Sequence, residues 1–287
     1  MTYLIIGCGN LGSELATALH AEGHRVVASY CCAKPELDAI ELVACDVTDP
    51  DQIKRLMAHC GADELTVFWF AASHNVDKVQ QDPTAAKRVN TEALEHFLAC
   101  YAGSIKRFFF SSTDCVYGEP VSERAVDESV PTAPVSEYGK QKREAEEIVA
   151  RYHGVSLRFS LLFGKSCSGK MSFSSVIEEH LKNGERLELY YDSRRCVLSF
   201  QKAAQILVRL LAVKELPGVI NICSNEYLSK YEIGRRLAKA NGFHDDMLIP
   251  VSFAEQRDFA RIRVKSIRLD NGLLRSLTGM STIESGL

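Results

Sequence analysis

The sequence predicts an α/β fold: a doubly wound parallel sheet over residues 1–165, joined by a smaller C-terminal α/β lobe over residues 166–287, with strand and helix returns to the sheet near 195–224. Three observations predict it. Wholly apolar runs alternate with amphipathic stretches through residue 165, no repeat or low-complexity tract interrupts them, and the first apolar run passes at once into Gly7-Cys8-Gly9-Asn10-Leu11-Gly12. A parallel sheet covered by helices on both faces reads this way, because its strands meet no water on either side.

Residues 1–6 form the first strand, and Leu11, Leu15 and Leu19 then fall on one face of a helix. A GxGxxG between a strand and a helix is the arrangement that cradles a dinucleotide pyrophosphate in a Rossmann-type sheet. Gly7 permits the tight turn, Gly9 lets the phosphates reach the backbone, Gly12 lets helix and strand pack closely, and the N-terminal turn carrying Asn10 and Leu11 faces the anion. Strand two follows at 25–30 and strand three at 40–46. Asp49-Pro50 starts a helix as N-cap and first helical residue. The apolar run 65–72 is strand four, 83–102 reads as one helix, and strand five begins at 107 and ends in the hydroxyl-rich Ser111–Gly118 segment. A strongly helical stretch covers 137–151, and 155–163 supplies strand six. Beyond it, 165–175 is rich in Ser, Gly and Lys and reads as a mobile connection, 218–223 as a strand, and Ser229-Lys230-Tyr231-Glu232 as a helix start with a capping box.

Tyr138 and Lys142 lie four apart on the 137–151 helix and share one face. A neighbouring ammonium favours the phenolate, so Lys142 is expected to lower the phenol pKa from its usual value of about 10. Thr113, closing strand five beside that helix, is placed to bond the same substrate oxygen. In open α/β sheets ligands bind beyond the carboxyl ends of the strands, where the glycine loop, Asp46, Ala71, Ala72 and Thr113 all fall.

Composition bounds the function classes. Net charge is −3 with acids and bases mixed along the chain, which excludes a basic nucleic-acid surface and an acidic disordered arm. No apolar run approaches the ~18 residues of a membrane span, and the first strand leaves no room before it for a secretory signal. The ten cysteines are scattered through predicted elements without a CxxC, and the eight histidines show no metal-ligand spacing. Reduced thiols, a cytoplasmic location and no metal site are therefore expected.

The chain resembles the extended short-chain dehydrogenase/reductases, and within them the dTDP-4-dehydrorhamnose reductase-like branch that acts on nucleotide-sugars. Ala71-Ala72 followed by Val76-Asp77-Lys78-Val79, then Asp82-Pro83, Val89-Asn90-Thr91, Ser111–Gly118, Tyr138xxxLys142 and Leu157-Arg158-Phe159-Ser160 carry the resemblance. It implies a catalytic Thr113, Tyr138 and Lys142, with Lys142 also holding the nicotinamide ribose. It places Asp46 and Val47 near the adenine, Ala71 and Ala72 along the cofactor, and Asn90 in the network beside the site. Asp46 as a turn residue and Asn90 as a polar helix residue are the alternatives. Ser112, Asp114, Ser160, Arg195 and Arg263 are the candidate substrate contacts. Arg195 stands where the family grips a nucleotide-sugar diphosphate, although Lys202 replaces an acid of that stretch, and Arg263 stands near a family motif whose proline is here Val264.

Two further departures matter. The family usually shows GxxGxxG, and here the first glycine is displaced. Strand two ends Ala28-Ser29-Tyr30-Cys31 with no carboxylate for a ribose 2′-hydroxyl. With Ser29 and Lys34 as donors to a 2′-phosphate, NADP(H) is favoured and NAD(H) stays open. Nucleotide-sugar 4,6-dehydratases of this fold carry a glutamate where this chain has Cys115, so expulsion of water lacks its second proton-transfer group. The resemblance thus implies an NAD(P)H-dependent reductase of a 4-keto nucleotide-sugar, with a possible homodimer through the helices near 83–102 and 137–152. A nucleotide-sugar epimerase and a redox-inert regulatory subunit, as the beta subunit of methionine adenosyltransferase is in this branch, remain the alternatives.

Overall fold

The computed structural model describes residues 1–61, 64–120, 124–165, 171–255 and 262–287. In chain order the first part runs β1 (Thr2–Ile6), α1 (Asn10–Ala21), β2 (Arg25–Tyr30), β3 (Glu41–Ala44), α2 (Pro50–Cys60), β4 (Leu65–Trp69), α3 (Val76–Gln81), α4 (Pro83–Lys87), α5 (Ala93–Tyr101), β5 (Ile105–Thr113), α6 (Glu137–Arg151) and β6 (Val155–Phe159). Next come β7 (Leu161–Phe163), α7 (Phe173–Asn183), β8 (Leu187–Tyr190), β9 (Arg194–Ser199), α8 (Phe200–Leu211), β10 (Val219–Ile222), β11 (Tyr227–Ser229), α9 (Lys230–Ala240), β12 (Leu248–Val251) and α10 (Gly272–Thr278).

The main sheet has seven parallel strands in the order β10-β6-β5-β4-β1-β2-β3. The chain winds outward in one direction through β2 and β3, then returns past β1 to β4, so the strand order reverses beside β1. Crossover connections there leave in opposite directions and open a crevice at the carboxyl edge. Alternation along each strand fills two cores. Tyr3, Ile5, Phe68, Phe109 and Leu157 face α1 and α8, while Leu4, Ile6, Val67, Trp69, Phe108 and Phe110 face α2, α5 and α6.

Two predicted elements are divided. The 83–102 helix is α4, a π turn over Arg88–Glu92, and α5. The wider turn falls where Asn90 is bonded away from the helix, as described below, and such π turns recur beside functional sites. The predicted strand 155–163 breaks at Ser160. The Ser160 N–H donates to the Ile222 carbonyl at 3.2 Å, keeping the end of β6 on the main sheet, and β7 departs to pair with β9. It thereby founds a second sheet, β11-β9-β7, beside the pair β12-β8. The predicted 218–223 strand is β10 and sits at the edge of the main sheet.

Of the expected mobile connection over 165–175, residues 166–170 lie outside the described residues. Its end is tied down: Ser172 and Ser174 hydroxyls donate to the Gly164 carbonyl at 2.5 and 2.9 Å. No described helix is long and apolar enough to cross a membrane.

Candidate active site

A cavity of about 860 Å³ opens at the carboxyl edge where the strand order reverses. Gly7, Gly9, Asn10, Leu11, Gly12, Ser29, Asp46, Val47, Ala71 and Ala72 line one end, and Ser112, Thr113, Asp114, Tyr138, Ser160, Arg195 and Arg263 the other. The candidates spread along the sequence thus meet in one place, with three exceptions: Asn90 and Lys142 stand behind the wall, and Lys34 lies outside it.

Gly7 has φ +97°, and a Cβ there would lie 2.5 Å from the Ala71 nitrogen. The turn therefore forms only with glycine, and it sets the loop against the end of β4, whose Phe70 and Ala71 N–H groups donate to the Ile6 carbonyl at 2.8 Å. A Cβ on Gly9 would meet nothing within 4 Å. Gly9 instead leaves open space at the N-terminus of α1, which has no side-chain cap, whereas Asp49 caps α2 and Ser136 caps α6. An uncapped N-terminal turn beneath an open backbone suits a pyrophosphate, whose charge meets the free N–H groups and the helix dipole. The residues present thus fit a dinucleotide.

At the ribose end one expectation needs correction. Ser29 is 1% exposed, and its hydroxyl accepts the Gly7 N–H at 3.2 Å. The side chain stiffens the glycine loop rather than reaching toward a 2′-phosphate. Lys34 is exposed and outside the cavity wall. Asp46 lines the cavity and acts as a turn residue, its Oδ1 accepting from the Thr48 N–H and hydroxyl at 2.9 and 2.8 Å.

Asn90 is 1% exposed. Its Oδ1 accepts the Ser73 N–H at 2.8 Å, and its Nδ2 donates to the Ser73 carbonyl at 3.0 Å and to Gln141 Oε1 at 2.9 Å. Three of its four possible hydrogen bonds go to protein, so it braces the loop after β4 against α6; its neighbour Val89 reaches the cavity. Asn90 is a positioning residue here, not a wall residue.

Thr113 ends β5 as N-cap of the next turn, its Oγ1 accepting the Cys115 N–H at 3.2 Å and donating to Asp114 Oδ1 at 3.3 Å. Tyr138, in the first turn of α6, shares the cavity with it. Lys142 is 1% exposed, donates to the Ser111 carbonyl at 2.8 Å, and stands 4.5 Å from the Phe110 ring centroid and 5.9 Å from that of Tyr138. The expected lowering of the phenol is reversed. Burial holds Tyr138 well above the ordinary tyrosine range, with the Cys115 and Asp114 side chains adding to it, and burial pushes the Lys142 ammonium down to about 7 against the pull of Glu146. Taking either charge out of water outweighs what the pair exchanges across that separation. The Cys115 thiol is likewise pushed up to about 11 by burial and Asp114.

Ser112 touches the wall, yet its hydroxyl donates to Glu146 Oε1 at 2.5 Å. Glu146 in turn receives Arg158 Nε and Nη2 at 2.9 and 2.6 Å, deep beneath α6. The Ser112 side chain is therefore committed to this buried network rather than presented to a substrate. Arg195 faces Asp114, Nε to Oδ2 at 3.3 Å, and donates to the Val264 carbonyl at 2.7 Å; Arg263 donates to Asp77 Oδ2 at 2.6 Å. The first pair joins β9 to the turn after β5, and the second joins Arg263 to α3. Ser160, at the break between β6 and β7, is buried at the cavity wall.

The sequence reading missed Phe173, Tyr190, Lys230 and Phe253, which also line the cavity. Tyr190 and Phe253 pack edge to face with centroids 5.3 Å apart. They come from α7, β8, α9 and a following loop, and only the apolar runs around them were legible in the sequence. Among the described residues no group of His, Cys, Asp and Glu is arranged to hold a metal ion.

The fold and the site together define an NAD(P)-dependent enzyme of the extended short-chain dehydrogenase/reductase type. Residues 1–284 match the family described as RmlD substrate binding domain, and the chain belongs to that family. It is 27% identical over 286 residues to a probable low-salt glycan biosynthesis reductase of Haloferax volcanii, spanning 97% of this chain and 93% of that protein. Among solved structures, the UDP-glucose 4-epimerase of Thermus thermophilus in complex with NAD superposes with a TM-score of 0.84 at 20% identity, over 100% of this chain and 94% of that one. A dTDP-4-dehydrorhamnose reductase of Clostridium acetobutylicum gives 0.81 at 21% identity, over 99% and 95%. At these identities the likeness to the two solved structures is one of fold.

Proposed function

We propose that this enzyme is an NADPH-dependent reductase of a 4-keto nucleotide-sugar. The observation that carries the reading is the wall segment Thr113-Asp114-Cys115 facing Tyr138: it offers a hydroxyl and a phenol to one oxygen, while the third position is a thiol held protonated. A ketone needs one proton on reduction; loss of water from a sugar needs a second acid/base group, which a buried thiol at about 11 does not supply near neutral pH. A full-length relative named as a reductase supports the same reading.

Bound nicotinamide supplies the hydride. The residues do the rest. Thr113 turns its hydroxyl from Asp114 to the carbonyl oxygen as charge gathers there, and Tyr138, kept in its protonated form by burial, passes its proton to that oxygen. The same burial acts on the nascent alkoxide, which is intrinsically the stronger base, so the proton passes to it. It leaves a phenolate near the Lys142 ammonium, whose attraction then acts on the product state rather than on the resting phenol. NADPH is favoured because the β2 end contributes Ser29, Tyr30, Cys31, Cys32 and Ala33 to the cavity, none of which repels a 2′-phosphate.

The test is NADPH consumption by purified enzyme across a panel of 4-keto nucleotide-sugars, with product identified by mass. Stoichiometric reduction of one of them supports the proposal. Interconversion of nucleotide-sugar epimers around a retained cofactor, without net NADPH loss, would replace it with an epimerase.

A further inference from the structure

Three cations share one side of the cavity: Arg195 in β9, Lys230 at the first position of α9, and Arg263. Two are already balanced, Arg195 by Asp114 at 3.3 Å and Arg263 by Asp77 at 2.6 Å. Lys230 makes no ion pair with any carboxylate among the described residues. Its ammonium stands instead over the Phe173 and Tyr190 rings, 5.4 and 5.6 Å from their centroids, and both rings line the cavity. Aromatic faces hold a cation in place without cancelling its charge. Among the described residues, three cations against two carboxylates leave this side of the cavity positive by one charge, and that charge resides on Lys230. Burial first, then Arg263 and Arg195, push its ammonium down to about 8, the mark of a cation short of a counter-ion.

We propose that Lys230 is the specificity-determining cation for the substrate's diphosphate: the two arginines, fixed by their carboxylates, offer oriented donors, and Lys230 offers the unbalanced charge that selects a nucleoside diphosphate. This rests on the nucleotide-sugar reading above and adds to it the residue on which affinity for the anion depends. Neither the capping box that encloses Lys230 nor its position in the chain marks it in the sequence; the aromatic slot does so in the structure.

The experiment measures binding of UDP and dTDP by calorimetry to the full chain and to Lys230→Met and Lys230→Arg, with inorganic pyrophosphate as a base-independent competitor and NADPH affinity as the control for an intact fold. A charge-assisted contact is worth about 1.5–3 kcal/mol, so Lys230→Met is expected to weaken nucleoside diphosphate binding roughly 10- to 100-fold. NADPH affinity should stay unchanged, and Lys230→Arg should recover most of the loss. A Lys230→Met variant that binds UDP or dTDP as tightly as the unmodified chain overturns the assignment alone. An unmodified chain that binds NADPH but neither diphosphate overturns the nucleotide-sugar reading, and this assignment with it.

Discussion

Lys142 donates to the main-chain oxygen of Ser111 at 2.8 Å, so the ammonium four residues after Tyr138 is fastened to the strand that ends in Thr113. This bond ties α6 to β5, and so Tyr138 to Thr113, the two groups proposed to meet the substrate oxygen. The cost is a buried charge. Folding lowers the Lys142 pKa from 10.5 to about 7, so between those values the unfolded chain binds the extra proton and stability rises with pH through this window. Lys142→Met removes that dependence. Relative to the unmodified protein, its melting temperature is expected to stand highest near roughly pH 6 and to lose that advantage steadily toward pH 10, as thermal melts across the range would show. A pH-independent difference between the two proteins would contradict the assignment.

Tyr138→Phe deletes the proton donor and nothing that packs. Turnover should fall roughly 10²- to 10⁴-fold, while fluorescence titration with NADPH gives an affinity close to that of the unmodified enzyme. Full activity in this variant would remove Tyr138 from the chemistry.

Gly7 and Gly9 are two residues apart and should fail in different ways. Gly7→Ala drives a methyl to 2.5 Å from the Ala71 nitrogen at a positive φ, so the apo-protein itself is expected to lose stability in urea titrations. Gly9→Ala places its methyl in open space; the apo-protein should unfold at the same urea concentration while cofactor binding weakens, because the methyl occupies the approach of the pyrophosphate.

Glu146 and Arg158 form a pair with side chains 8% and 7% exposed, and Ser112 adds a third bond. Breaking a buried pair by removing one partner strands the other charge, so Glu146→Ala should cost about 3–5 kcal/mol in chemical denaturation. Arg158 also stacks over the Tyr117 ring at 4.6 Å, and Tyr117 donates to Asn221 at 2.8 Å, so the damage should extend to the β10 edge of the sheet. Hydrogen exchange at β6 and β10 would report it.

Cys115 sits beside the two reacting groups, yet its thiol pKa of about 11 makes it a poor nucleophile near neutrality. Iodoacetamide mapping near pH 7.5 is expected to modify the exposed Cys31, Cys32 and Cys100 and to leave Cys115 largely untouched, with labelling of Cys115 growing as the pH approaches 11.

The first six strands and the glycine loop were legible because their signals are local. An apolar run between turns is a buried strand whatever surrounds it, and GxGxxG works through backbone that only its own glycines can shape. The triad was legible for a similar reason, since Tyr138 and Lys142 share a helix face by periodicity alone. The local caps Asp49 and Ser229 were also legible; what failed were inferences about what a side chain touches across the fold. Ser29 was read as a phosphate donor and is bonded to Gly7; Ser112 was read as a substrate contact and belongs to Glu146; Asn90 stands behind the cavity wall; the strand 155–163 divides at Ser160 because a partner strand at Ile222 holds one half and β9 the other.

The sequence by itself determined the doubly wound sheet, the place of the glycine loop and the helix face that Tyr138 and Lys142 share, because each depends on neighbours within a few residues. Only the tertiary structure decided the electrostatics. Whether Lys142 lowers the Tyr138 phenol, or which of Arg195, Lys230 and Arg263 keeps an uncompensated charge, depends on desolvation and on carboxylates far away in the chain. Asp77 lies 186 residues from Arg263, and no periodicity carries that pairing. Burial is a property of the whole fold, and in this site it outweighs the one charge–charge contact that the sequence makes visible.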